Sequence, residues 1–136
     1  MTEQLQHDAA KLLNQNFASK LESGETIRLE VENTGDEVML RTYVGTPLRA
    51  HVFELKTTPT EADDPEELVL LLIDFLDASL QTFFRQNRRG GFSLASTKRE
   101  FEGTTLWVRQ EYRDFEAERM ADELLAADAK KRSNFD

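Results

Sequence analysis

The chain contains no cysteine, so disulfides, thiolate metal ligands and cysteine nucleophiles are excluded together. Histidine is almost as scarce. His7 and His51 are the only two, and neither falls in a metal-binding spacing such as HExxH, so neither a metal nor a cofactor is expected. No apolar run is longer than Leu68-Val69-Leu70-Leu71-Leu72-Ile73, far short of the roughly 20 residues that span a bilayer. The opening Met1-Thr2-Glu3-Gln4-Leu5-Gln6 lacks the basic start and apolar stretch of a signal peptide, and the expectation is a cytoplasmic protein with no membrane insertion. Basic residues are the minority, 17 against 26 acidic ones, for a net charge of -9. Phosphate backbones are bound by Lys and Arg, so nucleic acid is not an expected partner.

The 136 residues suit one hydrophobic core, and the expectation is a single domain over 1–136 with a frayed polar tail from about 130 to 136. Leu5, Ala9, Leu12, Leu13, Phe17 and Leu21 recur at steps of three and four, predicting an amphipathic helix over 3–21. Ile27-Arg28-Leu29-Glu30-Val31-Glu32 alternates strictly, as a half-buried strand does, and Asn33-Thr34-Gly35-Asp36 is turn chemistry. Strands over 37–44 and 48–56 complete an antiparallel meander. Asp64 as N-cap and Pro65 at the first helical position open a second helix, for which Gly90-Gly91 is the expected stop. A second hairpin is predicted over 92–102 and 104–112. Asp114 is placed to cap a last helix with Ala117, Met120, Ala121, Leu124 and Leu125 as its apolar stripe. The predicted fold is α+β, in the order α-βββ-α-ββ-α, with helices packed on one face of a five-stranded antiparallel sheet.

Chemistry is harder to find. Asp74 and Asp77 lie three apart on the second helix, but with Gln81, Arg85 and Arg88 they form a polar stripe that reads as its solvent side. The basic stretch Arg85, Arg88, Arg89, Lys98 and Arg99 surrounds two glycines that follow a helix instead of preceding one, the wrong polarity for a phosphate loop. No GxSxG elbow is present. No catalytic residue is assigned, and the expectation is a protein that is not an enzyme.

The second helix is apolar on every side over 68–73, whereas a helix lying on a sheet needs one apolar face. A further surface, a second copy or a client must cover the rest, which makes Leu70 and Leu71 candidate partner-binding residues and a homodimer the expected state. If Ile27, Leu29, Val31, Val38, Leu40, Val52, Leu106 and Val108 face the helices, then Met39, Tyr43, Phe53 and Trp107 fall on the opposite face and join them as candidates.

The element order, with Leu71-Leu72 through Leu80 to Gly90-Gly91-Phe92-Ser93-Leu94, resembles the class I type III secretion chaperones in their leucine-rich second helix, Gly-Gly turn and following strand. The resemblance covers the whole chain as topology. It implies a homodimer built through the second helix and neighbouring strand, apolar grooves that hold an extended effector segment, and no catalysis. The functional expectation is a chaperone-like protein-binding module that masks an apolar segment of a partner. The alternatives are a small-ligand or lipid-binding domain with the helix roofing a cavity, and a small hydrolytic enzyme using His51 with carboxylates.

Overall fold

Residues 2–89 and 91–134 are described by the computed structural model of the protein. The chain runs α1 (Thr2–Asn16), β1 (Thr26–Asn33), β2 (Val38–Gly45), β3 (Arg49–Thr57), α2 (Pro65–Arg85), β4 (Thr97–Phe101), β5 (Thr104–Asp114) and α3 (Phe115–Asn134), with one turn of 3-10 helix at Ala18–Lys20. This is the α+β order that the sequence predicts. The five strands form one antiparallel sheet, ordered β1-β2-β3-β5-β4.

Helix α1 buries Ala9 and Leu13, and Phe17 just beyond its end, against β1. Leu12, expected on that face, is exposed. The helix is shorter than predicted, because after Asn16 the chain tightens into the 3-10 turn and reaches extended backbone at Leu21. Helix α1 also closes the free edge of β1. Asn14 Oδ1 accepts from the Ile27 N–H at 2.9 Å, Asn14 Nδ2 donates to the Ile27 carbonyl at 2.8 Å, and Gln6 Oε1 accepts from the Val31 N–H at 3.1 Å. Side-chain amides thus occupy backbone groups that an edge strand would otherwise offer to another chain.

Helix α2 starts as its sequence dictates: Asp64 accepts from the Glu66 N–H at 3.0 Å and Pro65 is the first helical residue. Leu68, Val69, Leu72, Leu76, Leu80, Phe83 and Phe84 are buried, and the layer beneath is built of Val38, Leu40, Val44, Phe53, Leu55, Leu106 and Val108. The helix stops earlier than the expected glycines. The Asn87 N–H donates to the Phe84 carbonyl and the Arg88 N–H to the Phe83 carbonyl, the paired bonds of a Schellman ending, with Asn87 at φ 54 in the left-handed position usually taken by glycine. Gly90 lies outside the described residues.

Strand β4 begins at Thr97, later than the predicted Phe92, because among the described residues the preceding segment is hydrogen-bonded to β5 only at Gln110, whose N–H donates to the Ser93 carbonyl at 2.9 Å and whose side-chain oxygen accepts from the Phe92 N–H at 3.0 Å. Phe92 stacks on Phe75 at 5.8 Å, and Phe75 meets Phe101 edge-on at 5.3 Å. These three rings, like half-buried Leu71 and Ile73 of the all-apolar start of α2, pack against the core of their own chain. The β4–β5 hairpin closes on Glu102 and Gly103, both at positive φ (48° and 80°), as a two-residue loop that keeps the sheet twist requires.

Helix α3 is the departure from a fully packed layer. Asp114 caps it by accepting from the Ala117 N–H at 2.9 Å, as the sequence predicts. Its first turn is tied to the start of β3: the Phe115 and Glu116 N–H groups donate to the Leu48 carbonyl, and Arg49 pairs with Asp114 and Glu116. Beyond that turn, every residue from 117 to 131 is exposed. The polar stretch from Lys130, expected to fray, is helical as far as Asn134, and residues 135–136 lie outside the description.

Candidate functional site

The register fixes what the outer face of the sheet displays. One row crosses four strands as Glu30, Arg41, Glu54 and Arg109, alternating in sign at every step. Its centre is Glu54, only 5% exposed, whose carboxylate takes Arg41 at 3.3 Å, Arg109 at 3.2 Å and Lys56 at 3.2 Å. Burial alone pushes the Glu54 carboxyl upward, but hydrogen bonds from Arg109 and Lys56 outweigh it and hold the group below the usual carboxylate range. The ladder pins strands together, and its long side chains lie across the apolar residues beside it.

The candidate partner-binding residues are scattered by this arrangement. Met39 is buried on the outer face, where the Arg41 guanidinium reaches its sulfur at 3.7 Å. Tyr43 is half-buried beneath Arg28, 4.6 Å from ring centre to guanidinium, and beside Phe115 at 6.2 Å. Trp107 is exposed between Lys56 and Lys98 in the register. Phe53 does not belong to this face at all. It is fully buried on the helix side against Phe83 at 5.2 Å, and Val52 takes the outer position assigned to it. The signal was present in Phe53-Glu54-Leu55-Lys56, whose alternation puts Phe53 and Leu55 together and Val52 with Glu54 and Lys56. On α2, Leu70 is 48% exposed and Leu71 half-buried, so Leu70 is the residue of the 68–73 run that remains on the surface.

The larger uncovered apolar surface is on α3, where Met120, Leu124 and Leu125 are 53%, 71% and 68% exposed. The sequence predicts this stripe, but the sheet does not cover it. Leu94, in the segment before β4, is likewise exposed.

The ionisable groups with shifted acidity serve the fold. Arg88 grips Glu25 through two bonds, 2.6 and 2.8 Å, joining the end of α2 to the start of β1, and this hydrogen bonding holds the Glu25 carboxyl below its usual range. His51 is half-buried, edge-on to Phe83 at 5.0 Å and Tyr112 at 4.9 Å; burial, then the nearby Arg88 charge, lowers its pKa and favours the neutral ring. His7 is exposed on α1. Among the described residues no group of three or more His, Asp or Glu side chains is placed to hold a metal ion. The space beneath α2 is filled by Leu72, Leu76, Leu80 and Phe83, so a ligand cavity between helix and sheet gains no support there. The clefts include one of about 320 Å³ between the ends of α1 and α2, lined by Phe17, Lys20, Phe84 and Arg85 among others. No helix among the described residues is long and apolar enough to cross a membrane.

Comparison with protein-family models, curated proteins and solved structures returned no match.

Proposed function

We propose that this protein is a non-catalytic protein-binding module of the cytoplasm that shields an apolar segment of a partner, in the manner of a chaperone, and works as a homodimer. The observation that carries the reading is the apolar helix surface left uncovered: Leu70 on α2 and Met120, Leu124 and Leu125 on α3. Single exposed leucines are ordinary, but a stripe of them along a helix that projects from its own core is the form of surface that peptides and partner helices use. The acidic balance supports a protein partner over nucleic acid. The element order supports the resemblance to class I type III secretion chaperones, a family whose members bind segments of other proteins.

An array of extended apolar peptides tests the masking role directly. Peptides are expected to bind with dissociation constants on the order of micromolar, and Leu70→Glu to weaken them at least about tenfold while the circular dichroism stays unchanged. The masking reading is overturned if no peptide binds, or if binding is indifferent to Leu70→Glu.

A further inference from the structure

Between about pH 5 and 7 few side chains change charge. Carboxylates ordinarily titrate near pH 4 and Lys and Tyr near pH 10, and histidine is the residue whose ordinary value falls between. This chain has no cysteine and only two histidines. His7 stands exposed on α1, whereas His51 is half-buried where three parts of the chain meet. A proton taken up there is felt by the fold around it.

The His51 ring lies on the helix side of the sheet. From α2, Phe83 meets it edge-on at 5.0 Å, and from β5, Tyr112 does so at 4.9 Å. Its neighbour on β2 in the register is the uncharged Val44, and on β3 itself Arg49 is engaged with Asp114 and Glu116. Just past α2, the charge of Arg88 opposes a proton on the ring, and in the turn before β1 the charge of Glu25 favours one. Glu25, however, is already gripped by Arg88 at 2.6 and 2.8 Å. Among the described residues neither imidazole nitrogen has a hydrogen-bond partner, so no acceptor stands ready for the second N–H that protonation creates. An imidazolium here sets two cations in competition for one carboxylate.

Arg88 carries more than that ion pair. Its guanidinium also donates to the Lys20 carbonyl at 2.9 Å and lies over the Phe84 ring at 5.4 Å, and its backbone N–H closes α2 on the Phe83 carbonyl at 2.8 Å. Asn87 and Arg88 are consecutive non-glycine residues at positive φ, 54 and 64, a conformation that persists where the surroundings hold it. Beneath this seam Phe84 packs on Phe17 at 5.3 Å and on Phe83 at 5.2 Å.

We propose that His51 is an acid-sensitive latch: on taking a proton it draws Glu25 from Arg88 and loosens the end of α2 from the segment joining α1 to β1, baring the contact of Phe17 with Phe84. The latch needs neither the masking role nor the dimer. Because the closed seam favours the neutral ring, the opened one binds the proton more readily. Closure is therefore firmest above the ordinary histidine value of about 6.5 and weakens as pH falls below it.

Hydrogen exchange of the Asn87 and Arg88 amides, with NMR titration of the two histidine rings, tests this on the intact chain. After correction for intrinsic exchange, the opening constant at these amides is expected to rise at least about threefold from pH 7 to pH 5, following the His51 ring, and to exceed that of buried β2 amides, which open only with the whole fold. His51→Gln is expected to keep the constant flat over that range, and His7→Gln to follow the wild type. Amides at 87 and 88 that open no more at pH 5 than at pH 7, or only together with the β2 amides, overturn the latch. So does a rise that His51→Gln leaves in place. Should that variant fail to fold, the wild type still decides, since an opening that follows the His7 ring instead of the His51 ring also overturns it.

Discussion

Arg88 lies just past the end of α2, and its guanidinium reaches back to Glu25 and to the carbonyl of Lys20 at 2.9 Å, tying the end of α2 to the segment that joins α1 to β1. Both side chains are mostly withdrawn from water, so the pair is not an exposed ion pair of negligible worth. Its pH dependence follows from the direction of the Glu25 shift. The folded-state pKa is depressed, chiefly by the Arg88 hydrogen bonds, so the stabilisation is fully present above the unfolded value of about 4.3 and fades as pH falls through the lower folded value. Glu25→Gln should therefore lower stability by roughly 1 to 3 kcal/mol at pH 7, the cost of weakening a charge-assisted bond to a half-buried guanidinium. The gap between wild type and variant in urea denaturation should narrow below about pH 4. A gap that stays constant from pH 7 to pH 3 would contradict this account.

Among the elements, α1 combines two tasks that a hydrophobic pattern shows only in part. Its apolar face explains Ala9 and Leu13, but Asn14 and Gln6 look in the sequence like any polar surface residues. Their amides close the β1 edge, while β4, at the other edge, is short and carries exposed Lys98, Arg99 and Glu100, charges that discourage pairing with another sheet. Asn14→Ala should cost about 1 to 3 kcal/mol, because it strips partners from both the N–H and the carbonyl of Ile27. It should also raise light scattering on heating relative to Gln4→Ala, whose amide bonds only Asp8 on the same helix. Equal scattering from the two variants would remove the edge-closing role. The start of α2 is legible because a cap and a proline act within one turn, and so is the order of elements along the chain, whereas the pairing of β5 rather than β4 with β3 comes from the structure alone. The face of Phe53 is harder to read, because Val52 and Phe53 are adjacent and both apolar, and the answer lies in the alternation that follows, Phe53-Glu54-Leu55-Lys56, which the register to Arg41 and Arg109 bears out by placing Glu54, hence Val52, outward. The end of α2 was misplaced for a similar reason: Gly90-Gly91 is the stronger local signal, and Asn87 takes the left-handed position through bonds to Phe83 and Phe84.

At the scale of the whole molecule the same limit recurs, since an amphipathic stripe states that a helix must be covered and not by what. In this chain the inner face of the sheet is already covered by α1, α2 and the segment carrying Phe92, and α3 is left attached by its first turn. The molecule therefore divides into a core whose amides are held by buried packing and a helix whose amides are held by little besides its own ladder. Hydrogen exchange should reveal this division. Amides of β2, β3, β5 and the buried turns of α2 should exchange only through global unfolding, at rates independent of protein concentration. Amides of α3 from about residue 119 onward should exchange through local fraying in dilute solution, since the helix there is a marginal structure on its own. If two copies pair through α3, raising the concentration through the dissociation constant must slow those amides and leave the core amides unchanged, because only the helix gains cover on association. Leu124→Glu should hold α3 in its fast-exchanging state at every concentration. Slow exchange of α3 in a dilute monomeric sample would show instead that the helix finds its cover within its own chain.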